Sequence, residues 1–151
     1  MRDPAIKKKC IREIEKYFGR GLNADEMAAH LGGVDLEYID TCFMEAMRID
    51  PPFPLGTMHI AMDNIEIKSL DDEGKKKKLQ VPKGTQFQLN IAAIQNDPDQ
   101  WVDPAKYVPD RFDPKSQHFK NAAGEERNPM CWCPFAAGQR TCPGDMFSRM
   151  S

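Results

Sequence analysis

The stretch Pro134-Phe135-Ala136-Ala137-Gly138-Gln139-Arg140-Thr141-Cys142-Pro143-Gly144 constrains this chain more than any other. One cysteine stands late in it. Phe135, Gly138 and Arg140 precede it at fixed offsets, and Pro143 and Gly144 follow. Gly138 and Gly144 permit backbone angles or close approaches that a Cβ forbids. Pro143 suits the first position of a helix, where a missing N–H costs nothing, so the spacing places Cys142 at a helix N-terminus. The unpaired N–H groups and helix dipole there favour a thiolate over a thiol. Arg140 adds positive charge two residues away, and Phe135 can wall the sulfur off from water. A buried thiolate in such a setting is a nucleophile or a metal ligand. The bland alternative is a core cysteine in a glycine-bearing loop.

The rest of the chain reads as helices, then short strands, then an irregular segment. Asp3-Pro4 starts a helix with Ala5, Ile6, Cys10, Ile11, Ile14 and Phe18 near helical spacing, ended by residues 19–21. Asn23 or Asp25 caps a short second helix from Glu26 to Leu31, with His30 at its surface or end. A third helix is predicted from Asp35 to Ile49, with Leu36, Ile39, Phe43, Met44 and Met47 as its apolar face. Pro51-Pro52 stops it, because a residue before proline avoids the helical region. Glu45 and Arg48 share a face of its last turn. Taken alone they read as an exposed pair worth under about 1 kcal/mol.

Strands are predicted at Thr57 to Met62 and Asn64 to Lys68. Asp71 to Gly74 is a turn and Lys75 to Lys78 its return arm, a solvated hairpin whose lysines are balanced by neighbouring acids. Leu79 to Leu89 contains a turn at Val81-Pro82-Lys83-Gly84-Thr85. Ala92 to Gln95 forms one helical turn. Trp101, Tyr107 and Pro109-Asp110-Arg111-Phe112 punctuate an irregular stretch, and Lys115 to Asn128 is a polar loop.

F-x-x-G-x-R-x-C-x-G resembles the haem-binding loop of the cytochrome P-450 family. The resemblance implies that Cys142 is the axial thiolate of haem iron, pushing electron density toward O–O cleavage. It implies that Arg140 meets a haem propionate. Phe135, Gly138 and Gly144 complete the cofactor loop, and Ala136 stands where the family usually has Gly or Ser. The E-x-x-R pair before a proline cluster looks like the family's K helix. Pro82-x-Gly84-Thr85 resembles a turn of that region, and His59 stands where many members carry a propionate-binding arginine. Pro109 to Phe112 resembles the family's P-E-R-F meander, with Asp110 for the commoner glutamate. By resemblance Glu45, Arg48 and Arg111 then form a structural triad, one carboxylate between two guanidiniums, which suits bidentate, charge-assisted bonding.

The match runs along nearly the whole chain. It implies a mainly α fold with small β-sheets: the C-terminal part of a cytochrome P-450, from the J helix through the cysteine-ligand loop to the start of the L helix. Residues 1–151 are then one partial domain. The distal half, with the residues that activate oxygen, is expected before Met1, and the helix after Gly144 is cut at Ser151. The implied function is a haem-thiolate monooxygenase with an external reductase and a small organic substrate, although the isolated piece is expected to be inactive. A haem-thiolate isomerase or dehydratase is an alternative. Another is a small zinc-binding or interaction protein using Cys131, Cys133, Cys142 and His118, though C-x-C is a poor zinc spacing. An inactive fragment is the last.

Composition narrows the partners. The 151 residues carry a formal net charge of −2, so no general attraction to nucleic acid or anionic membrane is expected. There is no apolar run of spanning length and no signal peptide. Five cysteines, an odd number, indicate reduced thiols and an intracellular setting. If a full-length parent carries an anchor, that setting is the cytosolic face of the endoplasmic reticulum membrane.

Overall fold

The structure is a computed structural model. It describes residues 3–19, 21, 23, 25–26, 36–71 and 73–150, the last two as backbone alone. Helix α1 spans Pro4–Phe18. Asp3 starts it by accepting hydrogen bonds from the N–H groups of Ala5 (2.8 Å) and Ile6 (3.4 Å), and Gly19 closes it at φ 71°. Ile6 and Phe18 are its buried residues. Asn23 and Glu26 cap one another: the Glu26 N–H donates to Asn23 Oδ1 at 2.9 Å, and the Asn23 N–H to Glu26 Oε2 at 3.0 Å. The remainder of the expected second helix, with His30, lies outside the described residues, as does Asp35.

Helix α2 spans Glu37–Ile49 and has no side-chain cap of its own at Leu36. The cap comes from α1. The Glu13 carboxylate accepts from the N–H of Tyr38 at 2.8 Å and of Ile39 at 2.9 Å, so the two helices are joined by a charge at a helix N-terminus. Thr41, Cys42, Glu45 and Arg48 are the buried residues of α2.

Two separate two-stranded antiparallel sheets follow. Strand β1 (Met58–Ile60) pairs with β4 (Gln86–Gln88), His59 opposite Phe87. Strand β2 (Ile65–Leu70) pairs with β3 (Lys76–Val81). The ladder runs from Ile65–Val81 to Leu70–Lys76, so the return arm is longer than the lysine run that suggested it. The lysines lie on a solvated hairpin, where Lys78 reaches Glu66 at 2.9 Å and Lys75 reaches Glu73 at 2.7 Å. Gly84, at φ 85°, makes the turn at 82–85 and donates its N–H to the Ala61 carbonyl at 2.8 Å.

A short helix α3 (Ile91–Ile94) starts one residue before the expected turn, because Asn90 accepts from the Ala93 N–H at 3.0 Å. Gln95 ends it and is fully buried. Its Nε2 donates to the carbonyls of Met47 (2.9 Å) and Arg48 (3.1 Å), acceptors at the end of α2 that have no partner within the helix. Its Oε1 accepts from the Cys133 N–H at 3.0 Å. One amide thus bolts the end of α2 to the segment entering the cysteine loop. The last helix, α4, spans Asp145–Met150.

Gln95→Leu keeps the volume but strands the buried Cys133 N–H and two carbonyls. We expect a loss of about 1–3 kcal/mol, seen as a lowered Tm in a circular-dichroism melt. An unchanged Tm refutes the bridge.

Candidate cofactor site and its buried ion-pair lock

Glu45, Arg48 and Arg111 meet in the interior, with exposures of 0%, 0% and 2%. Glu45 and Arg48 pair in fork geometry: Arg48 Nε to Glu45 Oε2 at 2.8 Å, and Arg48 Nη2 to Glu45 Oε1 at 2.9 Å. Arg111 Nε donates to the same Oε1 at 3.2 Å, and the Val108 N–H joins at 2.9 Å. Arg111 sits in a 3₁₀ turn at Pro109–Phe112. Burial pushes its guanidinium pKa down, the Glu45 carboxylate opposes that, and the like charge of Arg48 adds to it.

The guanidiniums also hold the irregular chain. Arg48 donates to the carbonyls of Gln95 (2.9 Å), Pro104 (2.7 Å) and Lys106 (3.3 Å). Arg111 donates to Val102, to Asp103 (2.9 Å) and to Lys106 (3.3 Å). Asp103 takes the left-handed φ of 50°. Its exposed carboxylate bonds Lys106 Nζ at 2.7 Å, which holds its pKa down. A segment with no ladder or helix of its own has its carbonyls satisfied by two side chains.

Aromatic rings carry this lock toward the cysteine loop. Trp101, 1% exposed, lies 5.7 Å from Phe112, Phe112 5.8 Å from Trp132, and Trp132 6.3 Å from Phe135, centroid to centroid. Trp132 Nε1 donates to the Met44 carbonyl at 3.1 Å, and Tyr107 Oη to the Cys42 carbonyl at 2.7 Å. Arg48 and Arg127 both place their guanidinium carbons over the Trp101 ring, at 5.1 and 4.3 Å.

Cys142, Arg140 and His59 line one cavity of about 340 Å³. Its other walls are mainly apolar, including Met47 of α2, Phe53, Leu89, Ile91 and Phe135. His59 stacks on Phe87 at 5.5 Å, and its Nε2 is 3.0 Å from Thr57 Oγ1. The cysteine loop is closed by the Cys142 N–H, which donates to the Phe135 carbonyl at 2.8 Å. Gly56 permits the close wall: a Cβ there would lie 3.0 Å from the Leu89 carbonyl oxygen. Gly138 adopts φ 73° at the start of a 3₁₀ turn, Gly138–Arg140. Ala136 adopts φ 60°, a region where a Cβ is strained and glycine is at ease.

Three local expectations change. Helix α4 begins at Asp145, not at Pro143, because residues 143 and 144 make a turn first. Cys142 is exposed, and Phe135 forms a neighbouring wall of the cavity rather than a cover over the sulfur. Gly144 has no left-handed φ, and a Cβ there would stand 3.6 Å from Cys142 Sγ in ordinary contact. Its lack of a side chain leaves room beside the sulfur.

Cys131 and Cys133 are buried thiols whose pKa values burial pushes up. Among the described residues no three His, Cys, Asp or Glu side chains are grouped to hold a metal ion, so the zinc set with Cys142 and His118 is not assembled. Glu13, Gln95 and Trp132, which hold the elements around the site, were not singled out as site residues from sequence. Nothing in their local pattern marks them, because each acts on a distant backbone group.

The family model described as Cytochrome P450 matches residues 1–151. Tabersonine 16-hydroxylase 1 of Catharanthus roseus is 30% identical over 148 residues, covering 98% of this chain and 26% of that protein. Flavonoid 3'-monooxygenase of Arabidopsis thaliana is 33% identical over 146 residues, covering 95% of this chain and 25% of its own. A human relative, cytochrome P-450 4F8, is 29% identical over 151 residues, with 97% and 25% covered. The chain spans about a quarter of the length of the curated relatives it matches.

Glu45→Ala leaves two buried guanidiniums without their carboxylate, whereas Arg111→Ala leaves the Glu45–Arg48 pair intact but strands the carbonyls of Val102 and Asp103. The expected cost is about 3–5 kcal/mol for Glu45→Ala and about 1–3 kcal/mol for Arg111→Ala, read as loss of soluble, cooperatively melting protein. A soluble variant with the parental Tm shows that the three residues are not locked together.

Proposed function

The chain belongs to the cytochrome P-450 family, and we propose that it forms the haem-proximal portion of a haem-thiolate monooxygenase. It carries helices and small antiparallel sheets that are part of that family's fold. The hydroxylase and monooxygenase names of its relatives support oxygen insertion as the activity of the whole protein.

The observation that carries the reading is the shared cavity of Cys142, Arg140 and His59. Its donor set suits an iron porphyrin. The mostly apolar walls would suit the macrocycle, an accessible sulfur would suit the iron, and a guanidinium and an imidazole would suit the propionates. The space beside the sulfur at Gly144 is compatible with a ligand approaching Cys142. In this reading Cys142 would hold the iron through its sulfur, Arg140 and His59 would hold the propionates, and Met47, Phe53 and Phe135 would line the ring face. Haem, when bound, would supply dioxygen chemistry, and a thiolate ligand would favour O–O cleavage. The chain's own work is to orient the cofactor and hold one sulfur in a mostly apolar wall.

An external reductase and a small organic substrate are the partners of the whole protein in this reading. No described helix is long and apolar enough to cross a membrane. In this reading a whole protein that carries an anchor sits on the cytosolic face of the endoplasmic reticulum membrane.

In a full-length context, the reduced carbon-monoxide complex is expected to show the strongly red-shifted Soret band of a thiolate ligand. Cys142→Ser removes that band, whereas Cys131→Ala retains it. A band that survives Cys142→Ser moves the ligand elsewhere.

The 151-residue chain alone is expected to bind haem weakly and to give no coupled turnover with reductase and reduced nicotinamide, because Cys142 faces an open cavity. Sustained, regioselective oxygen insertion by the purified chain overturns this.

A further inference from the structure

Away from the cavity, two more thiols stand together. Cys10 on α1 and Cys42 on α2 have their sulfurs 3.8 Å apart, and both are free. The pair lies where the two helices are already tied. Glu13, three residues along α1 from Cys10, caps the start of α2. Lys9 reaches Asp110 at 3.5 Å and stands 4.8 Å over the Tyr38 ring. The backbones around both cysteines are therefore held in place, and their sulfurs touch without either helix having to move far. Cys10 is half-buried and reachable from solvent, whereas Cys42 is 6% exposed.

We propose that Cys10 and Cys42 are a redox modification site, closing to an intramolecular disulfide when a peroxide reaches Cys10. A disulfide needs its sulfurs about 2.05 Å apart, so the pair must close by roughly 1.8 Å, within the reach of side-chain torsions and a slight approach of the helices. The chemistry balances in two steps. Cys10 sulfur attacks one peroxide oxygen, the O–O bond breaks, and hydroxide leaves with the proton lost by the thiol to form water. Cys10 is now a sulfenic acid. Cys42 sulfur then attacks the Cys10 sulfur, the S–O bond breaks, and a second water leaves with the Cys42 proton. Two thiols are oxidised by two electrons and one peroxide is reduced to two waters.

The geometry suits a slow, guarded site. Burial pushes the Cys42 thiol up to about 12, so Cys42 is a poor first target and acts only as the resolving partner brought into contact with Cys10. The product staples α1 to the helix that carries Glu45 and Arg48. It leaves the Tyr107 bond to the Cys42 carbonyl in place, because that bond uses backbone. The proposal does not depend on haem.

The test uses the Cys142→Ser chain, which removes the exposed competing thiol. Hydrogen peroxide is added as the oxidant, followed by alkylation and non-reducing peptide mapping. The expected result is a 2-dalton mass loss, disappearance of two titratable thiols, and one cross-linked pair containing Cys10 and Cys42, all reversed by dithiothreitol. Cys10→Ser, a change at a half-buried position, should abolish the cross-link while retaining the parental circular-dichroism spectrum. Cys10 driven to sulfinic acid with no cross-link overturns the proposal, as does a dominant cross-link to Cys131 or Cys133.

Discussion

A single carboxylate, Glu45, joins the two guanidiniums that hold the irregular segment 102–106. It is fully buried and accepts from two guanidiniums and one backbone N–H. Buried ion pairs seldom add much net stability, because removing charges from water costs several kcal/mol per ion. Their effect is on which arrangement is tolerated. Any packing that separates Arg111 from α2 strands a charge in the interior, so alternative placements of the irregular segment are strongly disfavoured.

The same helix end serves the cavity. Arg48 reaches back to the lock while Met47, its neighbour in sequence, forms part of the wall facing Cys142. Gln95 then connects the carbonyls of both residues to the Cys133 N–H, nine residues before the thiol. The path from the lock to the sulfur is thus a run of hydrogen bonds and tilted or edge-on rings rather than a sheet. A loop that must present a sulfur at a defined place is anchored at its entry by the same side chain that satisfies the end of α2.

Much of this was legible because some residue patterns act locally. Asp3-Pro4, Pro51-Pro52 and the glycines at 74 and 84 set boundaries through their own backbone geometry, and the structure follows them to within a residue or two. The cysteine loop and the E-x-x-R and P-D-R-F segments could be placed because several residues matched at fixed offsets. What was not legible acts at a distance. Glu13 looks like one more solvated acid on α1, and only the packing of two helices makes it a cap. Gln95 ends an apolar run without any signal that both ends of its amide will be used. The start of α4 moved because a turn at Pro143-Gly144 intervenes, which the helix preference of proline does not reveal.

The lock reads carbonyls, not side chains, and that has a consequence for how such a segment can diverge. Arg48 and Arg111 take their acceptors from the backbone of Val102, Asp103, Pro104 and Lys106. A carbonyl is present whatever residue stands there, proline included. Substitutions along this run can alter charge and shape on the outer surface while the grip beneath is untouched. The exception is position 103, where the left-handed backbone restricts replacement to glycine, asparagine and similar residues. The protein face formed by 102–106 is therefore free to change in sequence at nearly constant geometry, which lets one clasp carry many different exteriors.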